Sequence, residues 1–316
     1  MGETNGILLV NTGSPASCTP ADVYRYLTQF LLDARVIDLP YWVRQLLVRA
    51  ILVPFRYRKS AKAYENIWTE EGSPLLVNSK ALSIQLQEAL GPSVHVAIGM
   101  RYGSPSIRDG LESLRAKRVN SIVIAPLFPQ QASATTGSVI EEAMNVMRDW
   151  VVFPQVRFLT EFATHPRFLD AWAEVGRAFD FSQYDEILFS FHGLPERHIK
   201  RAEKFLCYKA QCYATAEGIA TRLALPRYTI CFQSRLGVDA WIKPYTVNII
   251  EDLARKGTKK ICIFAPSFIA DCLETTYELG IEYNHLFTSL GGTKIDLVPS
   301  LNTHPAWIQA LTEILT

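Results

Sequence analysis

The stretch ILFSFHGLP at residues 187–195 decides the fold, because it joins an apolar β-forming run to a turn that starts a helix. It lies over an earlier stretch, ILLVNTGSP at residues 7–15, and both share an Ile-Leu start and a Gly-x-Pro end. An apolar run followed by glycine and proline is typical of a strand that leads into a helix. The pair therefore predicts two copies of one strand–turn–helix element.

Short apolar runs alternate with amphipathic stretches along the whole chain. The runs are GILLVNT, VHVAIGM, SIVIAPLF, VRFLTEF, EILFSF, YTICFQS, KICIFAPSF and KIDLVPS. Strands that alternate with helices are typical of an α/β fold with parallel sheets. A chain of 316 residues with 48% hydrophobic residues is long enough for two medium domains with real cores.

Two further matches extend the repeat. IVIAPLFPQQASATT (122–136) lies over ICIFAPSFIADCLETT (261–276), with an Ala-Pro-x-Phe block and a Thr-Thr pair in both, and between them Arg101 is matched to Arg235. Three matches in the same order predict a duplicated α/β unit. We place an N-terminal domain at 1–160 and a C-terminal domain at 161–316, with the last helix packing back on the first domain.

The two copies differ at positions that can carry reactive side chains. Thr12 stands where the second copy has His192, and Ala134 stands where it has Glu274. Both positions follow the carboxyl end of a predicted strand, where open parallel sheets bind their ligands. The functional residues are therefore expected in the second half, and the site in a cleft if the halves face each other.

His192 has two interpretations. A polar residue after a strand, followed by Gly193 and Pro195, is a common way to turn the chain into a helix. Imidazole also accepts protons near neutral pH and binds divalent metals, so a histidine opposite an acidic cluster is a candidate general base or metal ligand.

The acidic cluster is the stretch DCLETTYELGIEY (271–283). Asp271, Glu274, Glu278 and Glu282 are spaced to share one face of an α-helix. Asp271 and Glu274 also have capping-box spacing, which would explain them structurally. Because like charges four residues apart oppose helix formation, Glu278 and Glu282 indicate instead a path for metal ions or protons.

Several classes of function are disfavoured. A net charge of +1 gives no field for nucleic acid, and no phosphate-binding glycine motif occurs. Cys207 and Cys212 are spaced C-x4-C without a second pair, so we expect loop thiols rather than a zinc site. The N-terminal residues lack the features of an export signal, and a cytoplasmic location is expected.

The most apolar region, YWVRQLLVRAILVPF (41–55), is too short and too charged to cross a bilayer. A core helix is the favoured interpretation. The alternative is an interfacial helix or pocket lip that makes peripheral membrane contact, with one apolar face formed by Trp42, Leu46, Val53 and Phe55 and the arginines reaching to solvent.

A set of ordered motifs is similar to one known family. The motifs are LLVNTGSP, YRYLTQFLLDARVIDLP, EEGSPL, GMRYGSPS, SFHGLPERH, FQSRLG followed by WIKPYT, and DCLETTYELGIEY. Together they resemble the ferrochelatase family over essentially the full chain, in the style of its bacterial cytosolic members. The resemblance implies two similar Rossmann-like domains with a porphyrin in the cleft between them, and insertion of Fe²⁺ with release of two protons in haem biosynthesis.

The resemblance also implies roles for individual residues. The family's active-site histidine and essential glutamate fall on His192 and Glu274, as catalytic residues and metal ligands. Its further acidic residues fall on Glu278 and Glu282, as a proton or metal path. Porphyrin-binding positions fall on Thr12, Ser73, Arg101, Tyr102, Trp241 and Phe268.

The chain departs from the family pattern in places. Thr12 replaces Met, Leu or Tyr of other members, Gln131 replaces a frequent Tyr, and Glu65 and Asn66 replace an arginine pair. Protoporphyrin IX and coproporphyrin III therefore both remain candidate substrates. Some relatives bind an iron–sulfur cluster through four cysteines, often in a tail; we expect no such cluster here and no required cofactor, with Fe²⁺ as the substrate metal.

Two other functions remain open. One is a chelatase for another metal and tetrapyrrole, and the other is a non-catalytic haem or porphyrin carrier. A carrier needs a pocket but not the acidic residues Glu274, Glu278 and Glu282, which therefore favour an enzyme. The expected partners are a porphyrin and ferrous iron, and the sequence does not divide proton acceptance and metal binding between His192 and Glu274.

Overall fold

The computed structural model describes residues 4–201, 207–235 and 239–316. The chain forms two compact units. The first contains the residues up to Phe128, Ala132–Glu161 and Leu311–Thr316, and the second contains Pro129–Gln131 and Phe162–Ala310.

The first unit contains one four-stranded sheet and its helices. Its strands are β1 (Asn5–Gly13), β2 (Val94–Tyr102), β3 (Ser121–Pro126) and β4 (Gln155–Phe158). Its helices are α1 (Pro20–Leu31), α2 (Tyr41–Leu46), α3 (Val53–Glu65), α4 (Pro74–Leu90), α5 (Ile107–Ala116) and α6 (Ser138–Met147), with π-helical segments at Leu47–Leu52 and Ser133–Gly137.

The second unit is built in the same way. Its strands are β5 (Glu186–His192), β6 (Thr229–Gln233), β7 (Lys260–Phe264) and β8 (Lys294–Leu297). The helical elements are α7 (Pro166–Gly176), a 3-10 turn (Phe181–Gln183), α8 (Glu196–Arg201), α9 (Tyr208–Arg222), α10 (Thr246–Arg255), a π-helical segment (Leu273–Glu282), α11 (Tyr283–Ser289) and α12 (Pro305–Leu315), whose last residues group with the first unit.

The strand order confirms the α/β class and the duplication. The two sheets have the orders β2-β1-β3-β4 and β6-β5-β7-β8, and every strand pair is parallel. The first quoted repeat forms β1 in one unit and β5 in the other, and the second forms β3 and β7. A π-helical segment follows β3 in the first unit and β7 in the second. Residues that the sequence repeat aligns therefore occupy equivalent places in two copies of one fold.

The strand register corrects one of the sequence matches. Asn11 pairs with Met100 and Gly13 with Tyr102, so Thr12 lies alongside Arg101. In the second unit His192 pairs with Gln233. Gln233 is therefore the structural counterpart of Arg101. The match of Arg101 to Arg235 is wrong by two residues, because Arg101 lies within β2 whereas Arg235 lies beyond the end of β6.

The core of each unit lies between the sheet and the helices that follow its strands. In the first unit Leu8 and Ile124 of the sheet pack with Leu111 of α5 and Val139 of α6, all buried. The second unit repeats this with Leu188, Ile263, Ile250 of α10 and Phe287 of α11. Because both faces of the strands are covered, their sequences are continuous apolar runs and do not alternate between apolar and polar residues.

Residues 41–55 differ from the favoured expectation of a core helix. Trp42 is 79% exposed, Leu46 69% and Phe55 82%, whereas Val53 is fully buried. Arg44 is buried instead of reaching to solvent, and it donates a 2.7 Å hydrogen bond to the Leu39 carbonyl. The side chains of Trp42 and Leu46 on α2 and of Phe55 at the start of α3 are thus uncovered in this unit. Among the described residues, no helix is long and apolar enough to cross a membrane.

Gly110 tests how closely α5 packs on the first sheet. A Cβ at this position would lie 2.4 Å from Leu8 Cδ1 and 2.7 Å from the Ile98 carbonyl oxygen. We expect Gly110→Ala to lower the free energy of unfolding by about 1–3 kcal/mol through overpacking. Urea unfolding measures the change. Gly280→Ala is the control, because its Cβ would meet no atom closer than 3.6 Å; equal losses in both variants would contradict the close packing of α5.

Candidate active site

The candidate site lies at the carboxyl edge of the second sheet. His192 is the last residue of β5 and pairs with Gln233, the last residue of β6. The π-helical segment Leu273–Glu282 follows β7, on the other side of β5. The fold thus places His192 between the end of β6 and the segment that carries Glu274.

The hydrogen bonds of His192 leave one ring nitrogen available. Nδ1 lies 2.7 Å from the carbonyl oxygen of Gly193. A carbonyl only accepts, so this contact places the proton on Nδ1 and leaves the lone pair on Nε2. The main-chain carbonyl of His192 in turn accepts a 2.7 Å hydrogen bond from the Tyr208 hydroxyl. His192 therefore keeps Nδ1–H as a donor, and Nε2 is the ring nitrogen that can take a proton or bind a metal.

Two aromatic side chains lie beside this imidazole. The ring centroid of Trp241 is 6.5 Å from that of His192, and the centroid of Phe268 is 6.3 Å away. Trp241 is 8% exposed, and its Nε1 has no hydrogen-bond partner among the described residues. The structure brings Trp241, Phe268 and His192 together, and their rings form an apolar wall suited to a flat aromatic ligand.

Gly193 allows the backbone after β5 to approach β6. Its N–H donates a 2.8 Å hydrogen bond to the Gln233 carbonyl. A Cβ on Gly193 would lie 2.8 Å from that same oxygen and 3.2 Å from the Trp241 ring. The glycine of the Gly-x-Pro pattern is thus required by close approach of the backbone.

The side chain of Gln233 connects the strands to the π-helical segment. Its Oε1 accepts a 2.8 Å hydrogen bond from the Ser190 hydroxyl of β5. Its Nε2 donates to the main-chain carbonyl of Glu274 at 3.0 Å and to the carboxylate of Glu278 at 3.3 Å. Gln233 is 2% exposed. The structure therefore joins the strand that ends in His192 to the segment that carries Glu274 through this one amide.

Glu278 is the most constrained of the acidic residues. Besides Gln233, its carboxylate accepts hydrogen bonds from the Ser234 N–H at 3.1 Å, the Ser234 hydroxyl at 2.6 Å and the Tyr283 hydroxyl at 2.8 Å. Ser234 adopts a left-handed conformation, with φ of +64°, which costs a residue other than glycine about 1–2 kcal/mol. Burial, together with the charge of Glu278, raises the pKa of Tyr283 and keeps its hydroxyl a donor.

The segment with the acidic residues is π-helical rather than α-helical. Hydrogen bonds from residue i to i+5 widen the turn, and Glu274, Glu278 and Glu282 along it are all half-buried. Asp271 does not share their face and is not a cap: it accepts hydrogen bonds from the Ser300 N–H and the Asn302 amide. The capping box is formed by Cys272 and Thr275.

Cys272 lies directly beside Glu274. Complete burial, and then the nearby charge of Glu274, raise the pKa of this thiol well above its usual range. Cys212 is also fully buried, within α9, so the expectation of two loop thiols at Cys207 and Cys212 is wrong for the second residue. Burial raises the pKa of Cys212 as well.

The site residues predicted in the first unit lie at its own carboxyl edge. Thr12 is half-buried near the end of β1, next to Arg101 near the end of β2. Tyr102 is 1% exposed, and Ser73 is 3% exposed at the start of α4. Tyr102 is thus covered within its unit.

Arg101 and Tyr102 belong to a buried network centred on Asp33. The Asp33 carboxylate accepts hydrogen bonds from Arg101 at 2.7 Å, the Tyr102 hydroxyl at 2.8 Å and the Ser138 hydroxyl at 2.5 Å. Burial alone would raise the pKa of Asp33, but hydrogen bonds from Ser138, the Arg35 N–H and Tyr102, with the charge of Arg101, outweigh it and lower the pKa.

Sequence reasoning missed Gln233, Ser234, Tyr208 and Asp33. Gln233 and Ser234 stand in the quoted motif FQSRLG, but no spacing rule connects them to a carboxylate about 40 residues later. The repeat itself could have identified Gln233 as a site residue, since its position is equivalent to that of Arg101. Within the described ranges, no group of three or more His, Cys, Asp or Glu side chains has the arrangement of a metal cage.

Comparison with known proteins gives consistent results. A family model described as Ferrochelatase matches residues 4–316. A protein of Legionella pneumophila named Ferrochelatase is 42% identical, with 98% of each chain covered, and one of Pseudomonas putida has the same identity and coverage. Among solved structures, SirB from Bacillus subtilis with Fe³⁺ superposes with a TM-score of 0.58 at 11% identity, over 98% of this chain and 93% of that chain. The last comparison shows likeness of fold alone.

The Asp33 network makes stability depend on pH. Because the folded-state pKa of Asp33 lies below the ordinary value of 3.8, its contribution is complete above that value and is lost as the pH falls through the lower folded-state pKa. We expect Asp33→Asn to lower the free energy of unfolding by about 3 kcal/mol at pH 7. The difference in stability between the variant and the wild type should shrink toward pH 3.

Thermal melts of both proteins between pH 3 and pH 7 measure this convergence. Asp149→Asn is the control, because that side chain is 76% exposed and should change stability by no more than about 0.5 kcal/mol. A pH-independent difference for Asp33→Asn would contradict the network.

Proposed function

The chain belongs to the ferrochelatase family and is a metal chelatase that inserts Fe²⁺ into a porphyrin in haem biosynthesis, and we propose that His192 and Glu274 carry out this reaction. The observation that supports this most directly is the orientation of the His192 imidazole, whose Nδ1–H is held by the Gly193 carbonyl and whose ring lies beside two aromatic rings. In the reaction two pyrrole N–H bonds break, two protons leave, and the four ring nitrogens bind the metal.

His192 is proposed as the acceptor of the pyrrole protons. Its Nδ1–H is held by the Gly193 carbonyl, so each proton taken at Nε2 makes an imidazolium that must release it before the next transfer. Glu274 then supplies the carboxylate that binds the incoming Fe²⁺. One carboxylate binds Fe²⁺ without retaining it, which the reaction requires because the metal must move to the ring nitrogens.

The aromatic wall supports binding and bending of the porphyrin. Metal can enter a flat free-base macrocycle only when the ring bends and the two inner protons leave. Burial of apolar surface contributes about 25 cal/mol per Å², and part of this binding energy can distort the ring. Trp241 and Phe268 are proposed as contacts to the macrocycle face.

The porphyrin residues predicted in the first unit receive different roles in this proposal. Thr12 is proposed as a contact to the porphyrin, and Ser73 as a residue near its edge. Arg101 and Tyr102, whose polar groups bond to Asp33 and Ser138, are proposed to shape that part of the pocket.

Glu278 and Glu282 are proposed to form the path for metal ions or protons. Glu278 is held by four hydrogen bonds, so it acts as a fixed negative charge that attracts cations toward Glu274. Glu282 lies one turn further along the π-helical segment and exchanges ions or protons with solvent.

A non-catalytic porphyrin carrier would use the same aromatic wall. It would not need the carboxylates of the π-helical segment, and the bonds that hold Glu278 favour the chelatase. A carrier binds porphyrin without inserting metal, whereas a chelatase for another metal would show turnover with cobalt or nickel but not with Fe²⁺. Anaerobic assays with protoporphyrin IX and coproporphyrin III separate these functions and identify the preferred porphyrin.

We further propose a cytoplasmic location with peripheral membrane contact through residues 41–55. Tyr41, Trp42, Leu46 and Phe55 are each more than half exposed, with exposures of 55%, 79%, 69% and 82%. Aromatic and aliphatic residues on one short helical surface are typical of an interfacial element that enters the headgroup region. No resident cofactor is required by the proposal, since Fe²⁺ is the substrate.

Replacement of His192 tests the proton-acceptor role. We expect His192→Ala to bind porphyrin with near-normal affinity and to lose at least about 100-fold in metal insertion, because the general base is gone. Absorbance with anaerobic Fe²⁺ or Zn²⁺ measures insertion, and fluorescence measures porphyrin binding. His285→Ala is the matched control, since His285 is exposed on α11. Near-normal turnover of His192→Ala would refute the role.

Replacement of exposed aromatics tests the membrane contact. The double variant Trp42→Ser, Phe55→Ser should bind vesicles of anionic lipid at least about 10-fold more weakly, because apolar surface no longer enters the interface. Co-sedimentation measures binding. The control is the double variant Val151→Ser, Val152→Ser. These two residues lie outside 41–55 and are 91% and 80% exposed. Equal binding by both double variants would contradict the proposed surface.

A further inference from the structure

We propose that Gln233 is a positioning residue for metal insertion: its side chain sets the place of Glu274 relative to His192. The inference rests on the proposed function, because it concerns the same site. Gln233 does not face the reaction as a base or as a metal ligand. It acts through the backbone and side chains that it joins.

The first argument is the orientation of the amide. The Glu274 carbonyl and the Glu278 carboxylate can only accept hydrogen bonds, so the amide nitrogen of Gln233 must point to them. Its oxygen is then directed at the Ser190 hydroxyl, which donates at 2.8 Å. The alternative orientation of the amide would place oxygen against two acceptors. Only one arrangement of this side chain therefore satisfies its neighbours.

The second argument is the path that the side chain takes. β6 and β7 lie on opposite sides of β5 in the sheet. An amide from the end of β6 that reaches the segment after β7 must cross the end of β5, where His192 lies. The backbone of Gln233 also accepts the Gly193 N–H at 2.8 Å. Both His192 and Glu274 are thus tied to the same residue.

The third argument is that the first unit contains an equivalent connection. Arg101, the counterpart of Gln233, donates from Nε to the Ser138 hydroxyl at 2.6 Å and to the Ser138 carbonyl at 3.2 Å. Ser138 is four residues after Ala134, as Glu278 is four residues after Glu274. Both copies therefore connect the end of the equivalent strand, β2 or β6, to an equivalent position in the helical region that follows β3 or β7.

The connection holds the geometry that the chemistry requires. A base and a metal ligand that act on one macrocycle must keep their separation within about 0.5 Å. Gln233 is 2% exposed, so water does not readily replace its hydrogen bonds when the amide is removed. Without them, the first turn of the π-helical segment loses its attachment to β5 and β6, while His192 keeps its own hydrogen bond to Gly193.

Gln233→Leu tests the proposal in the full-length protein. We expect kcat for insertion of Fe²⁺ or Zn²⁺ to fall about 10–100-fold, as for other residues that orient metal ligands, with porphyrin KM and porphyrin fluorescence titration changed less than twofold. The matched control is Gln87→Leu. The Gln87 amide also makes three hydrogen bonds, to Gly91, Val94 and Val96 in the first unit, so its loss should lower stability without lowering kcat.

Ser190→Ala provides a milder variant if Gln233→Leu does not fold. It removes the donor to Gln233 Oε1 together with the Ser190–Thr246 hydroxyl contact, and it should lower kcat about 2–5-fold with unchanged porphyrin KM. The proposal is overturned if the folded Gln233 variant, or Ser190→Ala in its place, matches Gln87→Leu in kcat, or if porphyrin KM changes and kcat does not. Absence of insertion by the wild type would instead refute the proposed function.

Discussion

The candidate site depends on one hydrogen-bonded connection across the end of a parallel strand. The Gln233 amide reaches from β6 over the end of β5 to the π-helical segment after β7. Parallel strands bring their carboxyl ends to one edge, but the sheet alone does not fix the loops that follow them. Side-chain hydrogen bonds supply that missing constraint, and at 2% exposure this amide is shielded from competition with water. The Glu274 backbone and the Glu278 carboxylate are attached to β5 and β6 by this arrangement.

The two copies of the fold share one architecture but end the side-chain connection at different residues. Both units have the same strand order and a π-helical segment in the same place. In the first unit the equivalent connection runs from Arg101 to Ser138, and both side chains also bond to the Asp33 carboxylate. In the second it ends at Glu278, which is half-buried beside Glu274 and Glu282. One copy uses the connection within a network of internal polar groups, and the other uses it to hold the carboxylate of Glu278.

The sequence predicted the fold class, the duplication and the strand end that carries His192, because apolar periodicity and ordered repeats depend on local patterns. It did not predict the π-helical form of residues 273–282, since glutamates four residues apart are compatible with either helix type. The sequence favoured a core helix over the exposed alternative for Trp42 and Phe55, because an apolar stretch has the same composition whether it is covered or not. Asp33 and Gln233 make contacts across long sequence separations, to which spacing rules do not apply.

The thiol of Cys272 has a consequence for the choice of metal ligands. It adjoins Glu274, yet burial and the neighbouring negative charge raise its pKa well above the usual range. Only the deprotonated sulfur is a strong, soft donor and a target of oxidants. At neutral pH this sulfur stays protonated, and it does not compete with the carboxylate that we propose as the metal ligand. The same protonation protects the thiol from oxidation beside a redox-active substrate ion.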